Sequence, residues 1–409
     1  MSFVDVVIIG SGMSGLYSAY NIQQKSPETS FLILEKYKKN WIGGRSSNDQ
    51  FYGSEIVTGA GIGRKEKDKL LYKLLKEFDL PTHFFTVHPT LSNSVEKVNI
   101  VNVLKHLQKE YKHFKNKNLT FREFAKPILG EENYKKFITA VGYTDYENED
   151  AFETLFFYGM EDNTCCWKAF HVPWKQLVMK LYDSIGKEHF KFSNKVISIE
   201  KNSQKNSQFI ITTEKGHHYF CNKVIVASTI DTVRQLLPIP IYNDIEGQPF
   251  LRLYAKFSKD SLPFLTKHIQ GFTFVSTSLQ RIIPIDEKNG VYMIAYNDND
   301  NTLALKNHLE NTPENRAFYE RLLEKTFNIQ TNALHILAIK DYYWKIGTHY
   351  YKPLNKILYK SREDFIFQAQ HPTENILVVG EMISRNQGWT EGALESVKSV
   401  LTKKWIDQK

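Results

Sequence analysis

The feature that most constrains the fold is a glycine-rich turn between a buried strand and a helix near the start of the chain. Residues 3–9 are apolar and β-branched almost without interruption, which is typical of a strand buried on both faces of a parallel sheet. The turn at 10–15 follows, and helical periodicity then continues to about Lys25. A second apolar strand at 31–35 completes a β-α-β unit of about thirty residues. The sequence therefore predicts an α/β fold with a Rossmann-type domain.

Each glycine of the turn has a physical task in binding a dinucleotide. Gly10 permits a tight turn, Gly12 lets a pyrophosphate approach bare backbone, and Gly15 lets the helix pack close to the strand. The helix begins beside Met13 and Ser14, so its free amides and the positive end of its dipole face the phosphates. The turn therefore predicts a dinucleotide site.

The end of the second strand carries the acid that such a site needs. Glu35 lies twenty residues after Gly15, where a carboxylate can bind both ribose hydroxyls of an adenosine, and Lys36 follows it. A 2′-phosphate would be repelled at this position, which disfavours NADP. The first β-α-β unit leaves FAD and NAD open.

Further glycine-rich segments distinguish FAD from NAD. Two of them are Gly43-Gly44-Arg45-Ser46 and Gly59-Ala60-Gly61-Ile62-Gly63. Two more lie near the C-terminus, at 379–381 and 387–393. An NAD site has no use for these pieces. The ribityl chain and ring of a flavin extend beyond the pyrophosphate, so they need a continuous glycine-lined corridor.

In this order, the motifs resemble those of the flavin amine oxidase superfamily. The matching segments are 4–64, roughly 190–230 and roughly 342–401, close to half of the chain. The resemblance implies an FAD-dependent oxidoreductase that removes a hydride from the carbon beside a neutral amine and delivers it to flavin N5, with O₂ as the acceptor.

The resemblance also implies roles for individual residues. Glu35 would bind the adenosine ribose, Val196 the adenine through its backbone, and Glu381 the ribityl chain. Arg45 would lie against the pyrophosphate and the flavin. A helix beginning at 388–393 would place its positive dipole end at the pyrimidine end of the flavin, which stabilises negative charge on the reduced ring. The residues expected to form the FAD site are Gly10, Gly12, Met13, Ser14, Gly15, Glu35, Lys36, Gly43, Gly44, Arg45, Gly59, Ala60, Gly61, Ile62, Val196, Gly380, Glu381, Gly388, Trp389, Thr390 and Ala393.

Three residues are candidates for the catalytic side of the site. Trp389 and Tyr350 would be two rings that hold the amine by cation–π contact and by shape. Many relatives have a Lys on a central strand near N5, where this chain has Arg252. Strand alternation puts Arg252 on one face with Tyr254 and Lys256. Because an arginine is permanently charged and planar, Arg252 could instead bind an acidic group of the substrate or face outward.

The attachment of the flavin and the exact reaction stay open at this point. None of the three cysteines lies near His349, where relatives with covalently attached flavin have a Cys, so the FAD is expected to be noncovalent. A histidyl linkage through His349 is the alternative. Besides amine oxidation, the sequence leaves two other functions open. One is the oxidation of C–C bonds, as in porphyrinogen oxidases and carotene desaturases, and the other is a non-catalytic flavoprotein scaffold.

The two predicted domains are intertwined along the chain. A discontinuous FAD-binding domain would comprise 1–90, 190–248 and 342–409, and a mixed α+β substrate-binding domain would comprise 91–189 and 249–341. Periodicity predicts helices at 67–78, 100–115, 120–128, 131–140, 174–186, 313–326 and 390–405.

Composition excludes several other classes of protein. The net charge is +8, but the lysines are scattered and belong to no recognisable nucleic-acid-binding module. No His or acidic cluster has metal-ligand spacing. The first strand begins at Phe3, leaving no room for a signal peptide, and no apolar run approaches the length of a membrane span. We therefore expect a soluble, cytoplasmic enzyme with a small-molecule substrate, of undetermined oligomeric state.

Overall fold

The β-α-β unit predicted at the start of the chain lies at the centre of the larger of two main sheets. The computed structural model describes residues 2–160, 166–202 and 207–408. Its strands are β1 (Ser2–Ile9), β2 (Phe31–Leu34), β3 (Asn48–Phe51), β4 (Ser54–Val57), β5 (Gly63–Arg64), β6 (Phe84–Val87), β7 (Pro89–Leu91), β8 (Trp167–Phe170), β9 (Phe190–Lys191), β10 (Val196–Lys201), β11 (Phe209–Thr213), β12 (His218–Val226), β13 (Ile245–Phe257), β14 (Phe272–Phe274), β15 (Arg281–Asp286), β16 (Val291–Asp298), β17 (Ile336–Tyr351) and β18 (Ile376–Val378). Its helices are α1 (Met13–Lys25), α2 (Lys69–Glu77), α3 (Ile100–His113), α4 (Phe121–Leu129), α5 (Glu131–Val141), α6 (Ala151–Phe156), α7 (Trp174–Ile185), α8 (Ile230–Leu236), α9 (Leu262–His268), α10 (Asn299–Leu305), α11 (Pro313–Phe327), α12 (Arg362–Gln370), α13 (Thr390–Val400) and α14 (Lys403–Asp407).

Seven of the described strands form the first sheet, in the order β10-β11-β12-β1-β2-β9, with β18 alongside β12. Strand β1 is parallel to β2 and β12, and β12 is parallel to β18. Parallel strands end at one edge of a sheet, so the residues that follow them meet there. Ala227 N donates to Ile9 O at 2.9 Å, and Val379 N donates to Val226 O at 3.0 Å. Ligands of open α/β sheets bind at this edge.

Both faces of the first sheet are covered, which explains the unbroken apolar run in β1. Val6 and Ile8 pack on one side with α1 and α7, whereas Val7 and Ile9 pack on the other side with α8 and α12. The strand prediction is confirmed, because alternate residues of a strand point to opposite faces and all four are buried.

Six of the described strands form the second sheet, in the order β17-β13-β16-β15-β14-β7. Leu251 and Leu253 of β13 face a core that includes Leu323 of α11. Arg252 and Tyr254 alternate with these leucines and lie on the opposite face of the strand. The second sheet therefore turns one apolar face to its helices and presents a mixed face to the rest of the molecule.

Helices α3 to α6 form a separate small core around Leu107, Phe121, Phe137 and Tyr146. The segments that follow α5 and α6 adjoin this core. Within them Tyr143, Asp145, Tyr158 and Gly159 line the cavity described below.

The predicted helices are present, with two differences. The final predicted helix is two helices, α13 and α14, separated at Leu401 and Thr402. Helix α7, expected on the substrate side, packs against α1 in the core of the first sheet. The domain boundaries otherwise stay a prediction. In the described part of the chain, no helix is long and apolar enough to cross a bilayer.

Strand β17 was not predicted from the sequence. Most of its residues between Lys340 and Thr348 are half-buried, so the run lacks the alternation of buried and exposed positions that identifies a strand. The reason lies in its surroundings, because residues 343–348 line a cavity rather than solvent or core.

Candidate active site

One large cavity, of about 1440 Å³, extends from the edge of the first sheet to the mixed face of the second sheet. It brings together the glycine segments that are far apart in sequence. The predicted site residues on its wall are Gly10, Gly12, Met13, Ser14, Glu35, Lys36, Gly43, Gly44, Arg45, Gly59, Ala60, Gly61, Ile62, Val196, Arg252, Gly380, Glu381, Gly388, Trp389, Thr390 and Ala393. Gly15 and Tyr350 are the two predicted site residues that do not line it.

The glycines of the turn divide into two kinds according to what a side chain would meet. A Cβ on Gly10 would lie 2.3 Å from Ala227 O, and one on Gly15 would lie 2.0 Å from Gly10 O. Both positions are therefore closed by neighbouring backbone. A Cβ on Gly12 would meet nothing within 4 Å, so this residue faces the open cavity. Since α1 begins at Met13 with no side-chain cap, its first amides are available in the same space, as a pyrophosphate requires.

Glu35 is fixed at one end of the cavity. Its Oε2 accepts hydrogen bonds of 2.8 Å from both the amide and the hydroxyl of Ser11, and its Oε1 accepts one of 2.9 Å from the amide of Tyr37. Val196 lines the same end. A carboxylate held in this orientation beside an apolar wall suits a ribose and its adenine.

Glu381 lies between two basic side chains in the middle of the cavity wall. Arg45 Nη2 donates to Glu381 Oε2 at 3.1 Å, and His349 Nδ1 lies 2.9 Å from Oε1. Burial alone would raise the pKa of Glu381, but the interactions with His349 and Arg45 outweigh it and lower the pKa to about 2. The carboxylate is therefore ionised throughout the physiological range and can accept hydrogen bonds from the hydroxyls of a ribityl chain.

The position of His349 excludes the histidyl linkage that the sequence left open. The residue is 3% exposed, and its Nε2 accepts a hydrogen bond of 3.3 Å from the amide of Ile230. With Nδ1 engaged by Glu381, neither ring nitrogen is available to a flavin. The geometry therefore agrees with noncovalent FAD.

The loop at 57–61 is held against the cavity by four side chains from three different elements. Each donates a hydrogen bond to one of its carbonyl groups: Tyr254 Oη to Val57 (2.7 Å), Trp344 Nε1 to Thr58 (2.8 Å), Arg252 Nε to Gly59 (2.6 Å) and Trp174 Nε1 to Gly61 (2.8 Å). The loop has little freedom to move, so it is a preformed part of the wall. The sequence did not identify the two tryptophans, because their partners are 113 and 286 residues away in the chain.

Arg252 points inward, and the outward orientation is excluded. The residue is 3% exposed, and its Nη2 is 3.0 Å from the position of a Cβ on Gly61. Its guanidinium also lies 4.1 Å from the centre of the Tyr296 ring. Arg252 thus supports the loop and contributes a fixed positive charge to the cavity wall.

The two aromatic residues expected to hold the amine do not lie together. Trp389 precedes α13, donates from Nε1 to Asp68 at 2.8 Å and lines the cavity. Tyr350 lies opposite Glu246 on β13, two residues beyond Thr348, where β17 leaves the cavity wall. It lines a separate small cavity instead. The Trp389–Tyr350 pair is therefore wrong, because the register of β17 carries Tyr350 past the end of the site.

The far end of the cavity has a charged aromatic wall that the sequence did not reveal. We call this part the charged chamber, and its walls include Tyr143, Asp145, Tyr158, Arg252, Arg281 and Tyr296. The guanidinium of Arg281 lies 3.2 Å from the ring centre of Tyr143 and 3.9 Å from that of Tyr296. Arg252 is the one of these residues that the sequence predicts. The others come from the segment around 143–158 and from β15 and β16, with no motif to connect them, so no sequence signal could have found them.

Asp145 is the titratable group of the charged chamber. Burial, and then the negative charge of Asp298, raise the pKa of Asp145 to about 7. Its Oδ1 accepts a hydrogen bond of 2.5 Å from Tyr158 Oη, and its Oδ2 lies 3.9 Å from the position of a Cβ on Gly388. A carboxyl group that changes its charge near neutrality therefore lies beside the Gln387–Trp389 segment.

Taken together, the Rossmann sheet, the glycine corridor and the adjoining chamber define a flavin-dependent oxidoreductase. Residues 8–78 match the NAD(P)-binding Rossmann-like domain, and residues 108–400, more than half of the chain, match the flavin containing amine oxidoreductases. The chain belongs to the family of flavin containing amine oxidoreductases, and FAD is its cofactor.

Solved structures with the same fold include two oxidases. A variant of putrescine oxidase superposes with a TM-score of 0.77 at 13% identity, covering 100% of both chains. Cyclohexylamine oxidase from Brevibacterium oxydans superposes with a TM-score of 0.74 at 16% identity, covering 98% of both chains. At such identities the likeness shows the fold alone. An uncharacterized protein of Acanthamoeba polyphaga mimivirus is 36% identical over 58 residues, which cover 14% of this chain and 11% of that protein.

Proposed function

We propose that the protein oxidises an amine to an imine, with O₂ as the final electron acceptor. FAD, held by the residues of the glycine corridor, would supply the acceptor at N5 for a hydride from the carbon beside a neutral amine, and the two electrons would pass on to O₂ to give hydrogen peroxide. The protein itself must hold the amine against the flavin, accept the ammonium proton and exclude water.

The observation that carries this proposal is the continuity of the cavity. The corridor lined by Gly12, Arg45 and Glu381 continues past Trp389 into the charged chamber without a dividing wall. A molecule in the chamber would therefore contact the ring end of an FAD whose pyrophosphate lies at the glycine turn. The dipole of α13, which begins at Thr390 on the same wall, favours negative charge at that end.

Asp145 is our candidate for the group that accepts the proton. An alkylammonium ion must lose a proton before its carbon can give up a hydride. A carboxyl group with a pKa of about 7 changes its charge near neutral pH and, when ionised, can take that proton from a bound substrate. Tyr158 orients the carboxyl group through its 2.5 Å hydrogen bond.

The charges of the chamber argue against the oxidation of C–C bonds in an apolar polyene such as a carotene. That chemistry would suit a deep apolar tunnel, whereas this chamber contains Arg252, Arg281 and Asp145. Burying these charges against a polyene would leave them without partners, at a cost of several kcal/mol. A scaffold role predicts instead that the bound flavin cannot be reduced by any amine.

The test is to purify the protein, record its visible spectrum and add amines without oxygen. Loss of the visible absorption of oxidised flavin, with hydrogen peroxide formed after O₂ is admitted, supports amine oxidation. A yellow protein that no amine bleaches contradicts it and favours the scaffold. A colourless protein that refuses added FAD contradicts the assignment of the cofactor.

A further inference from the structure

Four phenylalanine residues are exposed side by side on the small helical core that α3 to α6 form. Phe114 follows the end of α3, Phe152 and Phe156 belong to α6, and Phe157 follows α6. Each of them is between 37% and 47% exposed. Single exposed apolar residues are normal on a protein surface, whereas a contiguous group of them indicates a binding surface.

Ring contacts join the four residues into one surface. Neighbouring ring centres lie between 5.0 and 6.1 Å apart along the series Phe156, Phe152, Tyr111, Phe124 and Phe114. The ring of Phe157 lies 5.8 Å from that of Phe152. Because Tyr111 and Phe124 are buried, the exposed rings rest on a fixed base. We call the surface formed by the four exposed phenylalanines the phenylalanine face.

Positive charge is concentrated beside the phenylalanine face. Residues 100–117, which comprise α3 and the segment that follows it, contain five lysines and one acidic residue, a net charge of +4 against +8 for the whole chain. Lys117 Nζ lies 5.3 Å from the ring centre of Tyr111, which brings its charge to the edge of the face. Lys112 and Lys115 are exposed, and they flank Phe114 in the sequence. The apolar surface is therefore bordered by cations.

The residue types of this surface suit a lipid membrane better than a protein partner. The energetically dominant residues of protein–protein interfaces are enriched in arginine, tyrosine and tryptophan, and lysine is depleted there. Here the exposed rings are all phenylalanine, and residues 100–117 contain lysine but no arginine. A phenylalanine has no polar group that must stay in water, so its ring can enter the acyl region of a bilayer. A lysine can keep its ammonium group among the lipid headgroups while its apolar stem lies deeper.

We propose that the phenylalanine face binds the surface of a membrane that contains anionic lipids. In this arrangement Phe152 and Phe156 enter the boundary between headgroups and acyl chains, and Lys112, Lys115 and Lys117 contact the negatively charged headgroups. The proposal concerns a surface of α3 and α6, so it does not depend on the proposed amine oxidation.

The first test measures binding to vesicles of two compositions. The full-length protein, loaded with FAD, is sedimented with vesicles of phosphatidylcholine alone or with about one-third phosphatidylserine, at about 0.1 M salt. We expect at least tenfold stronger binding to the vesicles that contain phosphatidylserine, and a loss of this binding as the salt concentration is raised. Equal binding to both kinds of vesicle, or binding to neither, would overturn the proposal. In the second case, binding to polyglutamate would assign the face to an acidic protein instead.

The second test asks whether a ring of the phenylalanine face takes part. Phe156 and Phe264 are a matched pair, because both are 38% exposed and Phe264 lies on α9. Phe156→Ser should weaken binding to the phosphatidylserine vesicles at least tenfold, because no ring enters the lipid at this position. Phe264→Ser should bind like the wild type, and thermal unfolding checks that both variants are folded. Similar losses in the two variants would refute the assignment of the face.

The third test separates local charge from the net charge of the protein, and it changes only exposed side chains. Lys112→Gln with Lys115→Gln removes two charges beside Phe114, and Lys215→Gln with Lys288→Gln removes two charges from exposed positions on other elements. We expect the first pair to weaken binding to the phosphatidylserine vesicles at least tenfold, and the second pair to change it less than about twofold. If both pairs weaken binding equally, the attraction comes from net charge alone and the proposal is wrong.

Discussion

Arg45 and Glu381 form an ion pair of 3.1 Å across the cavity wall, although 336 residues separate them in sequence. Arg45 belongs to the second glycine segment, and Glu381 follows β18, so the pair joins the N-terminal and C-terminal parts of the cofactor corridor. Arg45 Nη1 also donates to Gly347 O at 2.6 Å, which brings β17 into the same cluster. The three segments that the corridor needs are therefore linked to one another through Arg45.

Glu381→Gln tests this cluster through the pH dependence of stability. The pKa of Glu381 is lowered to about 2 from an ordinary value of 4.5, so its ionised form stabilises the fold above about pH 4.5 and loses this effect as the pH falls toward 2. A shift of this size corresponds to about 3 kcal/mol. We expect the free energy of unfolding of the wild type to exceed that of Glu381→Gln most at neutral pH, with the difference shrinking below pH 4.5. Denaturant titrations across this pH range measure it.

The control for this prediction is Glu28→Gln, which alters an exposed carboxylate. It should follow the wild type at every pH. A Glu381→Gln difference that stays constant between pH 2 and 7 would show that the side chain contributes through its shape alone.

The turn offers a matched pair of substitutions that separate folding from cofactor binding. Gly12→Ala adds a methyl group that meets nothing within 4 Å, at an extended backbone position with φ of −70°. We expect its apoprotein to unfold at the wild-type temperature and to bind FAD at least tenfold more weakly, because the methyl group occupies the space of the pyrophosphate. Gly15→Ala forces a contact of 2.0 Å with Gly10 O, so its apoprotein should be destabilised. Thermal unfolding and FAD fluorescence titration give both readings, and an unstable Gly12→Ala apoprotein would refute this division of roles.

The pH dependence of flavin reduction tests the role of Asp145. Its raised pKa keeps the carboxyl group protonated below about pH 7, where it cannot accept a proton from the substrate. In the wild type, the rate of anaerobic flavin reduction should therefore increase as the pH rises through 7, and in Asp145→Asn this increase should be absent. Tyr158→Phe removes a hydrogen bond that favours the ionised form of Asp145, so the increase should occur at higher pH in this variant. Asp300→Asn, at an exposed position, is the matched control. If the rate still increases through pH 7 in Asp145→Asn, another group accepts the proton of the substrate.

The contrast between the two ends of the cavity explains how much the sequence could predict. The cofactor end is built from short contiguous motifs, such as Gly10–Gly15, in which the spacing itself determines the local geometry. The charged chamber depends instead on contacts between the segment that follows α5 and the second sheet, which bring Tyr143 to Arg281 across 138 residues. Tyr350 fails for a similar reason, because its position follows from the register between β13 and β17 and not from its neighbours in sequence.

Trp389 and Tyr350 provide the last prediction, because the two residues are expected from the sequence to have equal roles but lie apart in the structure. Trp389 lines the large cavity and donates to Asp68, so Trp389→Phe should both weaken this link to α2 and reshape the wall beside the flavin. We expect at least a tenfold decrease in the rate of flavin reduction by the best amine of a panel. The Tyr350→Phe variant keeps an aromatic ring outside the large cavity, so the amine should reduce its flavin at the wild-type rate. Stopped-flow measurements at equal FAD content give the rate of flavin reduction in both variants. Equal losses in the two variants would mean that Tyr350 reaches the substrate after all, and that β17 changes its register when the cofactor binds.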